Sequence, residues 1–218
     1  MTVGGDLEVL ERSIPRADGR GERNPSEYED LQRVTRSIAF EGGWSPERAE
    51  RIRQLFDALA PEWYTRGGPE RAAPLRDALA RGRVDRGGRA LEIGSGTGLH
   101  TPALAAHFAT VISLDFAQAM LALSPRGIAQ LVQADAAFLP FRGGAADAVV
   151  CVNAFLFPAE YERVVAPEGA LIFASTYGDE TPIYLAPSEV LDALPGSWQG
   201  VTSEAGWGTW TVATRRLP

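Results

Sequence analysis

A glycine-rich turn between a buried strand and a helix constrains this chain more than any other feature. It lies in the run Leu91–Thr101 (LEIGSGTGLHT), where Gly94, Ser95, Gly96 and Gly98 follow apolar strand residues. Glycine is needed where the backbone requires a positive φ angle or where a ligand must approach the main chain closely. The helix predicted after the turn would direct unpaired N–H groups toward an anionic group. The sequence therefore predicts a ligand-binding turn at the end of a strand.

Short apolar runs alternate with helical segments from Gly87 onward. The predicted strands are Arg89–Gly94, Thr110–Asp115, Ala129–Asp135, Asp147–Phe155 and Ala170–Ser175. The helical segments between them are Leu99–Phe108, Phe116–Leu123 and Ala159–Val165. This alternation is typical of an α/β, doubly wound and mostly parallel sheet with helices on both faces. Two further β-rich runs, Trp198–Ser203 and Gly208–Arg215, are predicted to close the sheet as an antiparallel pair.

Helical periodicity dominates the first 85 residues, and the segment before the first helix has no regular pattern. The helices are predicted at Ser26–Ala39, from Ser45 onward and at Pro69–Ala80. A length of 218 residues fits one domain, or a compact domain that carries a small accessory one. We therefore divide the chain into three units: a flexible N-terminal segment at 1–25, a helical cap at 26–85 and a core at 86–218.

Two acidic residues end the strands that follow the glycine turn. Asp115 ends the second predicted strand, 21 residues beyond Gly94, and Asp135 ends the third. In a doubly wound sheet the carboxyl ends of the strands face one cleft, and an acid at the end of the second strand can accept both ribose hydroxyls. The sequence therefore predicts that the glycine turn and both acids line one nucleotide-binding cleft.

The spacing of the glycines separates two kinds of nucleotide site. A dinucleotide fingerprint has the pattern G-x-G-x-x-G, which would put the third glycine at position 99. This chain has Leu99 there and Gly98 one residue earlier, so its pattern is G-x-G-x-G. The pattern disfavours NAD and NADP, and a nicotinamide-dependent oxidoreductase is kept as a lesser alternative.

Composition excludes several other classes of protein. Cys151 is the only cysteine, so neither an intramolecular disulfide framework nor a cysteine-rich metal site can form. All 21 basic residues are arginine, which excludes lysine Schiff-base chemistry. The net charge is −7 and neither half of the chain is basic, which disfavours nucleic acid as a partner. No signal peptide or membrane-spanning run is visible, so the expected location is cytoplasmic.

Five successive motifs resemble those of a known family. In chain order they are LEIGSGTG, LDFAQAM, QADAAFLPF, DAVVCVNAF and VVAPEGALIFAS. Together they resemble class I S-adenosylmethionine-dependent methyltransferases, most closely the branch of small-molecule and ubiquinone-type enzymes, over Arg89–Thr176. The resemblance implies a Rossmann-like, seven-stranded sheet with an antiparallel last strand. It also implies S-adenosylmethionine as cofactor and methyl transfer to a small-molecule acceptor by in-line displacement.

The resemblance carries cofactor roles onto matching positions. The implied cofactor-binding residues are Tyr64, Glu92, Gly94, Ser95, Gly96, Gly98, Asp115, Phe116, Met120, Asp135, Ala136 and Asn153. The glycines would line the methionine part of the cofactor, with Glu92 close behind and Asn153 beside the methyl group. Asp115 would bind the ribose, and the residues after it would flank the adenine, whose edge would meet Asp135. Tyr64 lies in a loosely matching helix and is the candidate for a lid.

No side chain stands out as a catalytic base, and no metal site is expected. His100 and His107 are expected to pack within one helix, and the run after the fourth strand lacks the histidines frequent in the family. A cofactor-binding regulatory protein of the same fold, without turnover, therefore stays open as an alternative. The candidates for an apolar acceptor pocket are Phe155, Phe157, Tyr177 and Tyr184.

Overall fold

The computed structural model describes residues 6–17, 29–63 and 69–216. Its strands are β1 (Leu7–Val9), β2 (Arg89–Ile93), β3 (Thr110–Asp115), β4 (Gln130–Gln133), β5 (Ala146–Val152), β6 (Val165–Ser175), β7 (Trp198–Ala205) and β8 (Gly208–Arg215). They form one sheet in the order β1-β7-β8-β6-β5-β2-β3-β4. Strand β8 is antiparallel to both of its neighbours, whereas all other neighbouring strands pair in parallel. This arrangement confirms the predicted doubly wound, Rossmann-like sheet and its antiparallel last strand.

The helices are α1 (Glu29–Glu41), α2 (Pro46–Trp63), α3 (Ala73–Arg81), α4 (Thr101–Ala105), α5 (Gln118–Leu123), α6 (Pro158–Val164) and α7 (Pro187–Ala193). Two short 3-10 turns lie at Pro69–Ala72 and Gly178–Glu180. Helix α4 is half the length predicted from Leu99–Phe108, because the glycine turn continues through His100 before the helix begins. The sequence predicted that the N-terminus of this helix attracts an anionic group. A helix of five residues has only a small dipole and can contribute little to such binding.

The strands are buried on both faces, and each face has its own core. On one face Leu91, Val149 and Phe173 pack with Ile38 of α1 and Tyr161 of α6. Successive strand residues point to opposite faces, so their neighbours belong to the second core. A parallel sheet covered on both sides needs such continuous apolar strands, which explains why the sequence shows unbroken runs rather than alternation.

Helix α3 lies on the second face rather than in the layer that covers the first. Its residues Leu75 and Ala78 are fully buried against Val150, Ile172 and Trp210 of the sheet. The sequence grouped this helix with the two before it in a cap at 26–85. Helices α1 and α2, unlike α3, pack over the first face. The boundary at residue 85 stays a prediction.

The sheet has eight strands instead of the predicted seven. Strand β1 pairs in parallel with β7 at the sheet edge, inside the segment that we expected to be flexible. Leu7 lies opposite Gly200, where a Cβ atom would come within 3.1 Å of the Leu7 side chain. A strand of three residues is too short to show a two-residue period, so no sequence pattern marks it. The stretch at 18–25 lies outside the described residues.

Candidate functional site

A largely apolar cleft lies at the carboxyl ends of the central parallel strands. Its volume is about 970 Å³ with the open mouth included. The ends of β2, β3, β4 and β5 form its floor, and side chains of α2 and of the loop before it form the facing wall. Ligands of doubly wound sheets bind at this edge.

The glycine turn brings the backbone itself into the cleft. Gly94 has a φ angle of +64°, and a Cβ atom there would lie 2.8 Å from the Cβ atom of Ala154. Gly98 has a φ angle of +77°, and its Cβ atom would lie 2.8 Å from Pro125. Any other residue at these two positions would combine backbone strain with a clash. Glycine is therefore required at both positions. The part of the turn that lines the cleft has no side chain at Gly94 or Gly96, which fits the close approach of a ligand.

Asp115 joins the end of β3 to the glycine turn. Its Oδ2 atom accepts a hydrogen bond from the Gly96 N–H at 2.7 Å, and its Oδ1 atom accepts one from the Ala117 N–H at 2.8 Å. Burial raises the pKa of Asp115, and these backbone hydrogen bonds partly oppose that effect. The carboxylate lines the cleft, and each oxygen keeps acceptor capacity for ligand hydroxyls.

Asp135 makes the corresponding link to the helical layer. Its Oδ1 atom accepts a hydrogen bond from the Ala137 N–H at 2.9 Å. Its Oδ2 atom accepts one from the Trp44 Nε1–H at 2.9 Å. The Trp44 ring also packs edge-on against Phe157, with ring centroids 5.2 Å apart, and against Phe116 at 6.2 Å. Trp44 therefore closes the cleft from the loop between α1 and α2, a role that the sequence analysis missed.

Asn153 has an unusual backbone conformation at the end of β5. Its φ angle is +53°, a value that residues other than glycine seldom adopt. Its Nδ2 atom donates to Thr176 Oγ1 and its Oδ1 atom accepts from the Thr176 N–H, both at 2.9 Å. This pair of hydrogen bonds holds the strained residue at the floor of the cleft, where strain is typical of functional sites.

Glu92 lies beneath the turn and not in the cleft lining. Its Oε2 atom accepts hydrogen bonds from Thr101 Oγ1 at 2.7 Å and from Ser113 Oγ at 2.6 Å. Its Oε1 atom is buried and has no hydrogen-bond partner in the described part of the chain. Burial raises the pKa of Glu92 to about 7, and the two hydroxyl groups act in the opposite direction. The side chain therefore supports the turn from below.

The structure brings together most of the predicted cofactor-binding residues. Those that line the cleft are Gly94, Ser95, Gly96, Asp115, Phe116, Met120, Asp135, Ala136 and Asn153. Among the described residues, Glu92 and Gly98 support the turn without lining the cleft, and Tyr64 lies outside the described residues. The residues that the sequence analysis did not assign to the site include Trp44, Trp63 and Arg71. They come from separate segments of the first 85 residues, where no motif marks them.

The predicted acceptor aromatics divide into two pairs. Phe155 and Phe157 line the cleft beside Trp44, but Tyr177 and Tyr184 are not among the described residues that line it. Tyr177 immediately precedes the short 3-10 turn at Gly178–Glu180, and Tyr184 follows it. Of the four candidates, Phe155 and Phe157 are therefore the two that the cleft brings together.

Neither His100 nor Tyr161, which also line the cleft, has a pKa near neutral pH. Burial lowers the pKa of His100 to about 4, so the imidazole is neutral at pH 7. The Tyr161 hydroxyl donates to the Phe155 carbonyl at 2.8 Å, and burial raises its pKa well above the usual value. Burial also raises the pKa of Cys151 to about 12, so this thiol is a core residue and not a nucleophile.

Residues 6–17, 29–63 and 69–216 offer neither a metal site nor a membrane-spanning helix. They contain no group of three or more His, Cys, Asp or Glu side chains that could hold a metal ion. None of the helices within them is both long and apolar enough to cross a membrane.

The part of the chain that contains most of the site is similar to known methyltransferase domains. Residues 91–173 match the family model Methyltransf_11, described as a methyltransferase domain. A curated relative, the biotin biosynthesis bifunctional protein BioHC of Cellvibrio japonicus (strain Ueda107), is 35% identical over 148 residues. The matched part is 62% of this chain, and the chain spans 29% of the length of that relative.

Solved structures share the fold. The DhpI–SAH complex has a TM-score of 0.63 at 23% identity, and the match covers 78% of this chain and 98% of the other. The cyclase SpnF has a TM-score of 0.54 at 22% identity, with 70% of this chain and 75% of the other covered. Proteins of this fold therefore carry different named activities, and the site must decide the function.

The glycine turn and the acids at the ends of β3 and β4 lie within residues 91–173, the part of the chain that matches the methyltransferase domain model.

Proposed function

We propose that the protein transfers the methyl group of S-adenosylmethionine to a small-molecule acceptor. The observation that carries this proposal is the convergence of the glycine turn, Asp115 and Asp135 on one cleft within a methyltransferase domain. A nicotinamide cofactor has no comparable support, because the glycine spacing departs from the dinucleotide pattern.

The proposed cofactor contacts follow from the positions of the lining residues. Gly94 and Gly96 line the cleft without a side chain, which suits the close approach of the methionine part. Asp115 retains lone pairs that can accept both ribose hydroxyls, and Asp135 can accept from the adenine amino group. Asn153, at the end of β5, lines the same cleft as Phe155 and Phe157. Tyr64 stays a proposal that rests on the resemblance alone.

The chain's own contribution to the reaction is positioning and the exclusion of water. When bound, the cofactor supplies a methyl group on a positively charged sulfur, which is already electrophilic. Trp44, Phe155 and Phe157 form an apolar wall that removes water from around an acceptor and restricts its orientation. Positioning of this kind can lower a barrier by roughly 7–11 kcal/mol. The reaction therefore depends on the shape of the wall as well as on the cofactor contacts.

The acceptor and the setting belong to the same proposal. A largely apolar cleft with a few polar groups at the strand ends suits a small organic molecule. A cytoplasmic location is our proposal from the composition, because the single cysteine is buried in the core and free. The biotin-related name of the relative is one starting point for choosing acceptors.

The test is methyl transfer from tritiated S-adenosylmethionine to a broad panel of metabolites, with the Asp115→Ala variant as control. We expect label in an organic-extractable product with the wild type and a loss of about tenfold or more with the variant at low cofactor concentration. Tight cofactor binding without transfer to any acceptor would instead favour a regulatory protein of the same fold.

A further inference from the structure

Helix α5 begins without a capping side chain of its own. Its N-cap residue is Ala117, which has an extended backbone but only a methyl group, so its side chain makes no cap hydrogen bond. The first N–H groups of a helix have no partner within the helix and are usually capped by Ser, Thr, Asp or Asn. Phe116 precedes this helix and Met120 belongs to its first turn, and both line the cleft. The start of α5 therefore shapes the cleft and needs hydrogen-bond partners from outside the helix.

Two carboxylates supply these partners. The Oδ1 atom of Asp115 accepts from the Ala117 N–H at 2.8 Å, and the Oδ1 atom of Asp57 accepts from the Ala119 N–H at 2.9 Å. Ala119 is the second residue of α5, whose N–H is one of the two to which an N-cap side chain normally binds. Asp57 belongs to α2 and is 62 residues from Ala119. Helix α2 therefore provides the cap that Ala117 lacks.

The carboxylate of Asp57 is held by hydrogen bonds on both of its oxygens. Its Oδ2 atom accepts from Arg53 Nη1 at 2.8 Å, one turn earlier on α2, while its Oδ1 atom reaches α5. The two side chains of this ion pair are 34% and 25% exposed, and such pairs contribute little stability by themselves. The effect of Arg53 is therefore to orient the carboxylate toward the start of α5.

Apolar contacts between the same two helices complete this side of the cleft. Phe56 and Trp63 of α2 pack against Ala117 and Met120, each of which is 1% exposed. The Phe56 and Trp63 rings meet edge-on, with centroids 5.7 Å apart. A loss of the polar contact at Ala119 would therefore loosen an interface whose residues line the cleft themselves.

We propose that Asp57 is a positioning residue for cofactor binding. Asp57 is not among the described residues that line the cleft, so it acts through α5. Its hydrogen bond fixes the first turn of that helix and, with it, the positions of Phe116 and Met120. Both belong to the adenine end of the proposed cofactor contacts, and the inference rests on that proposed function. A lost N-cap corresponds to about a fivefold change in an equilibrium constant.

The experiment compares Asp57→Ala with Glu50→Ala, a matched loss of a carboxylate from the same helix. The hydrogen bonds of Glu50 are made with Arg53 and Gln54 of α2 itself. Calorimetry would measure the binding of S-adenosylhomocysteine and of 5′-methylthioadenosine, which lacks the amino-acid part. We expect Asp57→Ala to weaken both ligands by the same factor of about five, because the affected contacts are with the adenosine that they share. Glu50→Ala should leave both affinities within about twofold.

A second substitution tests whether the effect passes through the cap. Ala117→Ser places a hydroxyl group at the N-cap of α5, where the extended backbone lets it accept from the first turn. In the Asp57→Ala background it should restore the affinity for both ligands to within about twofold of the single Ala117→Ser variant. Urea unfolding of each variant establishes that the titrated protein is folded.

Three results with a wild type that binds both ligands would overturn the inference. The first is an Asp57→Ala variant with unchanged affinities, and the second is a loss confined to S-adenosylhomocysteine. The third is a loss that Ala117→Ser does not restore, because the contact would then act on the ligand by another route. Failure of the proposed function is a different observation, in which the wild type itself binds neither adenosyl ligand, and the inference falls with it.

Discussion

At the scale of single residues, Glu92 is a buried carboxyl group whose pKa lies near neutral pH. Its carboxyl group is 3% exposed and receives two hydroxyl hydrogen bonds on one oxygen. Burial raises the pKa to about 7 from its usual 4.5, so the folded protein binds a proton that the unfolded chain has already released. The charged form is therefore the less stable one, and stability must fall as this group ionises.

This gives a pH-dependent prediction for the ligand-free protein. Between pH 4.5 and about 7 the wild type should lose up to about 3 kcal/mol of unfolding free energy that Glu92→Gln does not lose. The reason is that glutamine cannot ionise. Urea unfolding of both proteins at about pH 5 and about pH 8 measures the difference. Parallel losses in the two proteins would contradict the buried, proton-binding state of Glu92.

Asp115 tests the cofactor assignment at the same scale. Asp115→Ala removes the carboxylate that accepts from the Gly96 N–H and that faces the cleft. We expect S-adenosylhomocysteine to bind at least tenfold more weakly, which calorimetry can measure. Asp192→Ala is the matched control, because Asp192 is exposed on α7 and outside the cleft lining. Equal affinity of the two variants would refute the ribose assignment.

At the scale of elements, a few polar contacts position α1 and α2 over the cleft, in addition to their apolar packing. Asp57 of α2 accepts a hydrogen bond from the Ala119 N–H of α5 at 2.9 Å. Trp44, in the loop before α2, donates to Asp135 beyond β4. These contacts fix where the facing wall of the cleft stands relative to the strand ends. Movement of α1 and α2 would therefore change the cofactor and acceptor contacts together.

The contribution of this loop can be measured with Trp44→Phe. The substitution keeps an aromatic ring beside Phe157 but deletes the hydrogen bond to Asp135. We expect about fivefold weaker binding of S-adenosylhomocysteine, the value of one net hydrogen bond. The ligand-induced change in tryptophan fluorescence should also shrink, whereas Trp207→Phe, outside the cleft lining, should preserve it. Unchanged affinity and fluorescence in Trp44→Phe would show that the loop does not contact the ligand.

The sequence predicted the elements that carry local signals and missed those that do not. The strands from β2 to β8 were recognisable as short apolar or β-rich runs with turns between them, and the glycine spacing located the ligand turn. Trp44 and Arg71 carry no comparable signal, because their roles depend on contacts with residues far along the chain. Asp135, for example, is 91 residues from Trp44. The predicted length of α4 was also wrong, because Leu99 and His100 belong to the turn and not to the helix.

At the scale of the whole molecule, the cleft and the hydrogen bonds of Asp77 lie in different parts of the fold. The cleft is covered by α1 and α2, whereas the other face is held by α3 around the carboxylate of Asp77. That carboxylate accepts hydrogen bonds from Ser13 Oγ at 2.6 Å, from Arg81 Nε at 2.8 Å and from Trp210 Nε1 at 2.7 Å. It therefore joins the N-terminal segment, α3 and β8 at one point.

The separation predicts that Asp77→Ala damages stability without damage to binding. Burial acts to raise the pKa of Asp77, but the hydrogen bonds outweigh it and hold the pKa below 3.8. The charged form is thus stabilising at neutral pH, and this contribution is lost only as the pH falls below that range. We expect a loss of about 3 kcal/mol in urea unfolding at neutral pH. The affinity of the folded variant for S-adenosylhomocysteine should stay within about twofold; a tenfold loss would contradict the separation.

Calorimetry can measure directly whether the cleft binds the S-adenosylmethionine skeleton. Purified protein is titrated with S-adenosylhomocysteine, and with NAD and NADP as controls. We predict a one-to-one isotherm with a dissociation constant on the order of micromolar for S-adenosylhomocysteine, and no heat from either nicotinamide cofactor. Binding of NAD or NADP without binding of S-adenosylhomocysteine would contradict the account, because the glycine turn would then hold a dinucleotide.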